Sequence, residues 1–477
     1  MDKIIGKEIE KTDNLNRALK LPAIVMVSMG GTVGTGLFLG SGYVMQNAGP
    51  GGTLIAYLFG GVIMYLMMLC LGELMVAKPV AGGVQAYATE LVNPAMGFTV
   101  GWIKTLAYAL TASAQLVASS IIVSNIFPQV PSIYFIVAFI LLFIVMNMGP
   151  VDKAGNSGFV FSSIKFFLVI SFIIVGFAMI MGVGFKPTGF SNMVNDGGFF
   201  PIGIKGIVMT MMSAAFAFGG ADLCASAAGE AENPEKTLPK VINWTIWGLI
   251  LCYIVSFVIL LAILPWRTAS LNSSPFADVF KLAGLHSGEL IVNVCVLTSA
   301  LSSGNAFVFA CTRSLWSMGS LGQAPAFLSK LSKKKVPIPA LLATMLVASL
   351  AVVSAFVAKD TVYLFLQSVI GIANVFTYSL YGVCLMAFRK VYIKEGGSLG
   401  NLKYKTPFFP LTPILLIFMC AILFIGMFFD PSQKLALMTG IPTLILLYGF
   451  FTIYQRAAKK SMSTGNIAAA GIDQRRE

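Results

Sequence analysis

The chain has 477 residues, of which 57% are hydrophobic and only 11% are charged, and its formal net charge is +13. Soluble domains carry about 25% charged residues, so this composition excludes a soluble globular protein and predicts an integral membrane protein. The apolar runs of about 20 residues are continuous and do not alternate in polarity, which predicts membrane-spanning helices.

Twelve such runs follow one another, and the predicted fold is an all-α membrane protein with twelve transmembrane helices. In chain order the predicted spans cover residues 21–47, 51–77, 95–127, 131–149, 157–182, 204–227, 240–264, 288–312, 337–357, 361–388, 408–429 and 434–456. The preceding segment, residues 1–20, is polar and charged, so no cleavable signal peptide is expected.

Lysine and arginine are distributed unevenly between the two predicted sides of the membrane. If the N-terminus is cytoplasmic, Lys104 and Lys165 lie within spans, 24 of the 32 basic residues lie in inside segments or at the adjoining span ends, and six lie in outside loops or at the adjoining span ends. These six are Lys186, Lys205, Arg267, Lys281, Lys359 and Lys434. The asymmetry follows the positive-inside rule and places both termini in the cytoplasm. The basic surplus therefore reflects topology, and no nucleic-acid partner is expected.

The residue types that carry most enzyme chemistry offer no site. All seven cysteines lie in or at the ends of apolar spans and are interpreted as small packing residues. They are Cys70, Cys224, Cys252, Cys295, Cys311, Cys384 and Cys420. The single histidine, His286, lies in a predicted outside loop. Without a phosphate-binding loop or a nucleophile–base pair, neither an enzyme nor a metal or cofactor site is expected.

The first span contains an unusual density of glycine. The stretch SMGGTVGTGLFLGSG, residues 28–42, places glycines where a membrane helix should be continuous. Small residues let membrane helices approach closely, but Gly31, Gly34 and Gly36 cannot share one face of a helix. From the glycines alone, two interpretations stay open: close packing, or a break that exposes backbone N–H and C=O groups to a ligand.

The sixth span carries a second glycine pair, followed by an acidic residue. In AAFAFGGADLCASAAGE, Gly219 and Gly220 lie mid-span and Asp222 comes next but one. A carboxylate at this depth costs roughly 2.5–3.5 kcal/mol on insertion scales, so it should face a cavity or a partner. Two interrupted helices, each first in a group of five spans, predict an inverted-repeat transporter with its substrate site between the breaks.

Breaks of this kind suit a zwitterionic amino acid. A half-helix N-terminus presents free N–H groups and a positive dipole end to a carboxylate. Unwound carbonyls accept hydrogen bonds from an ammonium group. Because backbone groups would bind both charged ends of the substrate, no charged side chain is needed. The breaks themselves are the predicted binding site.

Four stretches resemble the bacterial amino acid permeases of the amino acid–polyamine–organocation superfamily, within its amino acid transporter subfamily. They are GGTVGTGLFLGSG, GELMVAKPVAGGVQAYA, AGEAENPEKTLPKVI and LTSALSSGNAFVFACTRSLWSMGSLGQAPAFL. The resemblance implies the leucine-transporter fold with discontinuous first and sixth helices. Residues 21–182 and 204–388 would form the two inverted repeats and 408–456 two appended helices, with cytoplasmic tails at 1–20 and 457–477.

The same resemblance implies how the substrate is held. Backbone N–H groups around Gly34, Thr35 and Gly36 would bind the substrate carboxylate. The carbonyls that would receive the α-ammonium group are those of Thr32, Phe216 and Gly219. The Phe216 ring is also the candidate gate over the bound substrate, with a core aromatic residue as the alternative.

Lys165, within the fifth span, is costly in a membrane unless it is paired, neutral or functional. Its position resembles that of the lysine which, in proton-coupled relatives, replaces a sodium ion between spans 1, 5 and 8. Ser302 and Ser303 match the other wall of that cavity. The functional interpretation is proton coupling. The alternative is a structural ammonium group that holds unwound carbonyls of the first span.

Other charged residues near the span ends receive no functional assignment. Lys104 lies near the cytoplasmic end of the third span, and its amine is expected to extend to the membrane surface. Glu73, Glu230, Glu232 and Lys236, at predicted cytoplasmic ends, are interpreted as a solvated charge cluster, with a gate or a structural network as the alternative.

Three positions depart from the pattern of the relatives. Gln115 and Gly158 stand where many close relatives carry glutamate, and Asp222 replaces the usual glutamate of the sixth span. The two missing carboxylates argue against a cationic substrate, so a neutral one is predicted. Candidate contacts for its side chain are Gln115, Ala217, Asp222, Asn305 and Asn374.

The predicted function is uptake of a neutral amino acid across the cytoplasmic membrane by proton symport with alternating access. The expected partners are the amino acid and the lipid bilayer; the coupling ion is a proton rather than sodium, and no cofactor is expected. An amino acid exchanger with a permanently charged Lys165 is the alternative. A non-transporting amino acid sensor is a weaker one, because the predicted tails are too short for a folded domain.

Overall fold

The computed structural model describes residue 25 and residues 29–78, 83–148, 152–223, 234–271, 273–333, 335–430 and 433–473. The predicted N-terminal tail, Cys224, Glu230 and Glu232 lie outside these residues, as do the surroundings of Gly158 and the side chains of Lys236 and His286. All statements below refer to the described part of the chain.

The described residues form α-helices, connected by turns and short 3₁₀ helices, with no strand among them. In chain order the helices are α1 (Thr35–Phe38), α2 (Gly40–Ala77), α3 (Val84–Leu91), α4 (Pro94–Ile126), α5 (Ser132–Asn147), α6 (Asp152–Met181), α7 (Gly203–Phe216), α8 (Pro234–Ile263), α9 (Pro275–Leu282), α10 (His286–Ser320), α11 (Ile338–Ala348), α12 (Lys359–Lys394), α13 (Leu411–Gly426) and α14 (Lys434–Asp473).

Ten helical segments in this part of the chain are long and apolar enough to cross a membrane. The predicted all-helical membrane architecture is therefore confirmed. Helix α5, which coincides with the fourth predicted span, is also apolar but has only 16 residues.

The boundary between the first two predicted spans coincides with a break in helical geometry. Two helical stretches of α2 meet at Gly49, whose φ of +70° and ψ of −177° are not helical. The next residue, Pro50, has no N–H to donate. A Cβ atom on Gly49 would lie 2.5 Å from Pro201 Cγ, so both the backbone conformation and the close approach require glycine.

Helix α4 occupies the centre of the helical assembly, and α14 lies at its edge. Of the most apolar stretch of 18 residues in α4, 89% is buried by the rest of the chain, whereas the corresponding share in α14 is 11%. Helix α4 packs along α10 and α12, and α2 packs along α7 and α8. These two groups of helices meet where the first span and α7 are interrupted.

Candidate substrate site

The first span is interrupted where its glycines are densest. Residues 29–32 are helical, the next two are not, and α1 begins at Thr35. Gly34 has an extended backbone, and the next turn starts with the Leu37 N–H, which donates to Gly34 O at 3.2 Å. The N–H groups of Thr35 and Gly36, at the helix start, therefore have no intrahelical acceptor. The helix break, which was one of the two interpretations of these glycines, is therefore present.

Side chains of α6 and α10 bind the carbonyl groups just before this break. Lys165 Nζ, on α6, donates to Gly30 O at 2.5 Å, and the lysine is buried. Ser303 Oγ, on α10, donates to Gly31 O at 2.9 Å. Ser302 is only partly buried, and no hydrogen bond joins it to the interrupted segment among the described residues. The structure thus brings Lys165 and Ser303 together at the first span, but not Ser302.

Two further donors at the break were not predicted from the sequence. Ser299 lies one turn before Ser303 on α10, and its hydroxyl donates to Val33 O at 3.2 Å. The Tyr253 hydroxyl, on α8, lies 2.9 Å from Ala217 O and 3.4 Å from Thr32 O, so its proton can bond to either interrupted span. Serine and tyrosine are common in apolar helices, and no spacing in the sequence marks these two.

The second break follows α7. That helix ends at Phe216, and a tight turn follows in which the Gly219 N–H donates to Phe216 O at 2.9 Å. Gly220 has φ +103°, which only glycine adopts without strain. A Cβ atom there would lie 3.1 Å from Gly31 O, so the two interrupted spans touch at this point.

A cavity lies between the two breaks and helices α4, α10 and α12. Several residues singled out from the sequence line it. These are Thr32, Gly36, Gln115, Phe216, Gly219, Asp222 and Asn374. A concave site with a few converging polar groups, placed between two helix breaks, is the arrangement expected of a small-molecule site in an inverted-repeat transporter.

Gly34 and Thr35 lie beside this cavity, not on its wall. A Cβ atom on Gly34 would be 3.0 Å from both Gln115 Nε2 and Ser303 Oγ, so glycine lets α4 and α10 approach the break. The Thr35 hydroxyl accepts a hydrogen bond from Tyr363 OH at 3.1 Å. The ring of Phe216 lies edge-on to the same tyrosine. Phe216 therefore both lines the cavity and packs within the protein, as each of its two interpretations requires.

Lys104 does not extend to the membrane surface, and this expectation from the sequence is wrong. The lysine is 7% exposed and lines the cavity. Its Nζ forms an ion pair with Asp222 Oδ2 and lies 5.0 Å from the centre of the Tyr108 ring and 5.6 Å from that of Tyr378. A carboxylate on a distant span and two aromatic faces hold the amine inside the protein. Tyr108 is one turn away on the same helix, but Asp222 and Tyr378 lie far from Lys104 along the chain, so no local pattern predicts these two partners.

The other candidate contacts for the substrate side chain are not all at the cavity. Asn305 accepts a hydrogen bond from Asn147 Nδ2 at 2.7 Å and does not line the cavity. Ala217 packs against Gly36, where a Cβ atom would lie 2.5 Å from Ala217 Cα. Gln115 lines the cavity, and its Oε1 has no hydrogen-bond partner among the described residues.

Glu73 is not part of a solvated charge cluster, so that interpretation is wrong for this residue. It is fully buried and accepts two hydrogen bonds of 2.7 Å from the Arg389 guanidinium group. The Thr406 N–H donates to the same carboxylate at 2.6 Å, and the Arg389 guanidinium lies over the Phe409 ring. Glu73 therefore joins α2, α12 and the segment before α13 in a structural network.

The family model of amino acid permeases matches residues 23–463. The chain belongs to the amino acid permease family. This permease is 37% identical to the amino-acid permease RocC of Bacillus subtilis over 92% of its own length and 94% of that of RocC. It is 34% identical to the lysine-specific permease LysP of Escherichia coli, over 91% and 92% of the two chains. It is also 34% identical to the histidine permease HisP of Lactococcus lactis, over 92% and 95%.

Family membership confirms the resemblance found in the sequence. The permease is a transporter and not an enzyme. With its apolar helices, it is a multi-pass membrane protein, and amino acid transport is the activity common to the relatives. The relatives named for a substrate differ from one another in that substrate, which is lysine for LysP and histidine for HisP.

Proposed function

We propose that this permease takes up a neutral amino acid across the cytoplasmic membrane by proton symport with alternating access. The observation that carries the proposal is the contact of Lys165 Nζ with Gly30 O at the break of the first span. A titratable amine is thereby hydrogen-bonded directly to the segment that would bind the substrate.

The substrate would lie between the two breaks. Its carboxylate would accept hydrogen bonds from the N–H groups around Gly34, Thr35 and Gly36, where a helix start offers free donors. Its ammonium group would donate to the carbonyls of Thr32, Phe216 and Gly219. A carbonyl oxygen has two lone pairs, so the existing bond from Gly219 N–H to Phe216 O leaves that acceptor available. The Phe216 ring would cover the bound molecule.

Proton coupling would act through the strength of one hydrogen bond. A protonated lysine makes a charge-assisted bond to a carbonyl, which is roughly twice as strong as a neutral one. Loss of the proton from Lys165 would weaken its hold on Gly30, while Ser303 keeps its own bond to Gly31. The conformation of the first span would thus depend on whether the proton is bound.

One proton per neutral amino acid would be sufficient for useful accumulation. The complex of zwitterion and proton carries one net charge, and moving that charge inward gains about 2.3 kcal/mol per 100 mV. Because about 1.36 kcal/mol corresponds to a factor of ten, the potential alone would support roughly 50-fold accumulation.

Alternating access would require one group of helices to rock against another. We place residues 21–182 and 204–388 in two inverted repeats of five spans and 408–456 in two further spans. In this arrangement the tails, 1–20 and 457–477, are cytoplasmic. A buried aromatic cluster, defined as Tyr57, Phe218, Tyr253 and Phe257, supports this proposal. Its rings pack against one another across α2, α8 and the segment after α7, so these elements would move as one body.

The test is transport into proteoliposomes that contain no amino acid, with and without an inward proton gradient. The substrate is first chosen by a thermal-shift screen of the twenty amino acids on the purified permease. We expect the gradient to drive accumulation by the wild type and by Lys205→Ala, a control at an exposed outside lysine. Lys165→Ala should bind substrate yet accumulate none.

The other outcomes separate the competing functions. Uptake that needs internal amino acid and ignores the gradient would identify an exchanger. Binding without flux under any condition would identify a sensor. Accumulation by Lys165→Ala equal to that of the wild type would remove this lysine from the coupling mechanism.

A further inference from the structure

The Lys104–Asp222 ion pair lies inside the cavity where the substrate side chain would lie. Lys104 comes from α4 and Asp222 from the 3₁₀ turn after the second break, so the pair joins two different sides of the cavity. The side chains are only 9% and 1% exposed. Both charges are therefore in a region from which water is largely excluded.

The pair decides the net charge of the cavity. Among the described lining residues, Asp222 is the only acidic side chain and Lys104 the only basic one. Because the two form an ion pair, the cavity is electrically neutral overall. Without Lys104 the same cavity would carry one buried carboxylate and no charge to balance it.

We propose that Lys104 is a specificity-determining residue: it acts as an internal counter-cation that occupies the Asp222 carboxylate and restricts the permease to amino acids with uncharged side chains. This inference rests on the proposed function, since it defines the substrate class of the same site. Lys104 does for Asp222 what the side chain of a basic amino acid would otherwise do.

The surroundings of the Lys104 amine support this role. Its Nζ lies over the rings of Tyr108 and Tyr378, and ring faces attract cations in general. Asp222 Oδ1 has no hydrogen-bond partner among the described residues, so the carboxylate retains a free acceptor beside the amine. A carboxylate with two aromatic faces is a complete site for a cation, and Lys104 fills it from within the chain.

A charged substrate side chain would meet an unfavourable arrangement on either side of this pair. A cationic side chain would have to displace the Lys104 amine or lie beside it in a dehydrated space, where like charges repel strongly. An anionic one would place a second carboxylate next to Asp222, with one amine to neutralise both. An uncharged side chain leaves the pair intact.

The experiment compares binding of neutral, cationic and anionic amino acids by ligand-induced thermal shift and by competition for uptake in proteoliposomes. The cationic probes are lysine, ornithine and arginine, which differ in length, and the anionic probes are aspartate and glutamate. For the wild type we expect neutral amino acids to bind at least tenfold more tightly than any charged probe. Tighter binding of a cationic probe would overturn the proposal without any variant.

Two substitutions should change the preference in opposite directions. Lys104→Met keeps a long unbranched side chain but leaves Asp222 unpaired, so a cationic probe should gain at least tenfold in affinity relative to the best neutral amino acid. Asp222→Asn leaves the Lys104 charge unpaired, so an anionic probe should gain instead. The double variant, Lys104→Met with Asp222→Asn, has no charge in the cavity and should show neither gain.

The possible failures are distinguishable. If the wild type binds none of the twenty amino acids, the proposed function is wrong. If it binds neutral amino acids but the proton gradient has no effect, coupling through Lys165 is wrong while the role of Lys104 stands. If Lys104→Met is folded and shows no relative gain for a cationic probe, Lys104 is a structural residue and the specificity proposal is wrong. If that variant does not fold, the specificity proposal is tested by the Asp222→Asn variant and by the comparison of probes on the wild type.

Discussion

At the residue scale, the permease holds its interrupted first span through one side-chain donor for each exposed carbonyl. Lys165, Ser303 and Ser299 each bind a different carbonyl of residues 30–33, and Tyr253 reaches the fourth. In a lipid environment an unsatisfied backbone group costs several kcal/mol, so these donors make the break stable. A glycine-rich segment without these donors would not form a stable break.

The sequence predicted only part of this arrangement. Lys165 and Ser303 were recognisable because a charge in a span is rare and because their motifs resemble those of the family. Ser299 and Tyr253 were not, since the face that a serine or tyrosine presents is decided by how the helices pack. Lys104 was misjudged for the same reason. Its position near a span end permits extension to the surface, and only the fold shows that Asp222 lies closer.

Two glycines of the first span offer a matched pair of substitutions. A Cβ atom on Gly36 would lie 2.5 Å from Ala217 Cα, whereas one on Gly40 would meet no atom closer than 3.6 Å. Gly36→Ala therefore forces two backbone segments apart, at a cost of about 1–3 kcal/mol. Because these segments line the cavity, we also expect at least tenfold weaker amino acid binding. Gly40→Ala should be neutral or stabilising by up to about 1 kcal/mol, since alanine favours the helix.

The measurement is the thermal midpoint of the purified permease in detergent, with and without a saturating amino acid. Gly36→Ala should lower the midpoint and reduce the ligand-induced shift, while Gly40→Ala should preserve both. Equal behaviour of the two variants would show that the approach of the first span to Ala217 is looser than 2.5 Å implies.

At the scale of elements, hydropathy predicted the positions of the spans well but not the interruptions within them. The apolar runs coincide with helices because a membrane helix needs about 20 apolar residues, a requirement that composition alone expresses. The non-helical residue Gly49 in α2 lies between the first two predicted spans, in agreement with their predicted bounds. Conversely, the end of α7 at Phe216 falls inside a continuous apolar run. Glycine marks both places, but packing decides whether the chain bends or unwinds.

The buried network of Glu73 and Arg389 joins two elements that no hydrophobic pattern connects. Glu73 lies near the end of α2 and Arg389 near the end of α12, and both side chains are buried. Breaking a buried ion pair by removing one partner costs about 3–5 kcal/mol, because the other charge stays uncompensated. We expect Glu73→Gln to lower the free energy of unfolding by an amount in this range. The measurement is denaturant titration in detergent micelles.

A surface ion pair supplies the control for this prediction. Asp196 Oδ2 lies 2.5 Å from Arg267 Nε, but the side chains of Asp196 and Arg267 are 48% and 60% exposed. Exposed pairs contribute at most about 1 kcal/mol, so Asp196→Asn should have a much smaller effect. In a double-mutant cycle, adding Arg389→Gln to Glu73→Gln should recover part of the loss, and purely additive effects would show that the two charges are not coupled.

At the scale of the whole molecule, the surface of the helical assembly is itself apolar. Large side chains such as Phe167, Ile174 and Leu346 are more than half exposed on α6 and α11. In water such a surface would aggregate, whereas in a bilayer it faces lipid tails. The exposed apolar surface and the uneven distribution of lysine and arginine both follow from the membrane as solvent. This is why composition alone predicted the class of protein.

The positive-inside rule predicts the orientation of the permease, and this prediction can be tested at two exposed positions. With a cytoplasmic N-terminus, the loop between α6 and α7 is outside the cell and the end of α12 is inside. We therefore expect Lys186→Cys to react with a membrane-impermeant maleimide on intact cells, and Glu395→Cys to react only after permeabilisation. The unmodified permease, whose described cysteines lie in helices, is the control for background reaction. Labelling in the reverse order would invert the proposed topology, and with it the direction in which the potential drives a proton-coupled substrate.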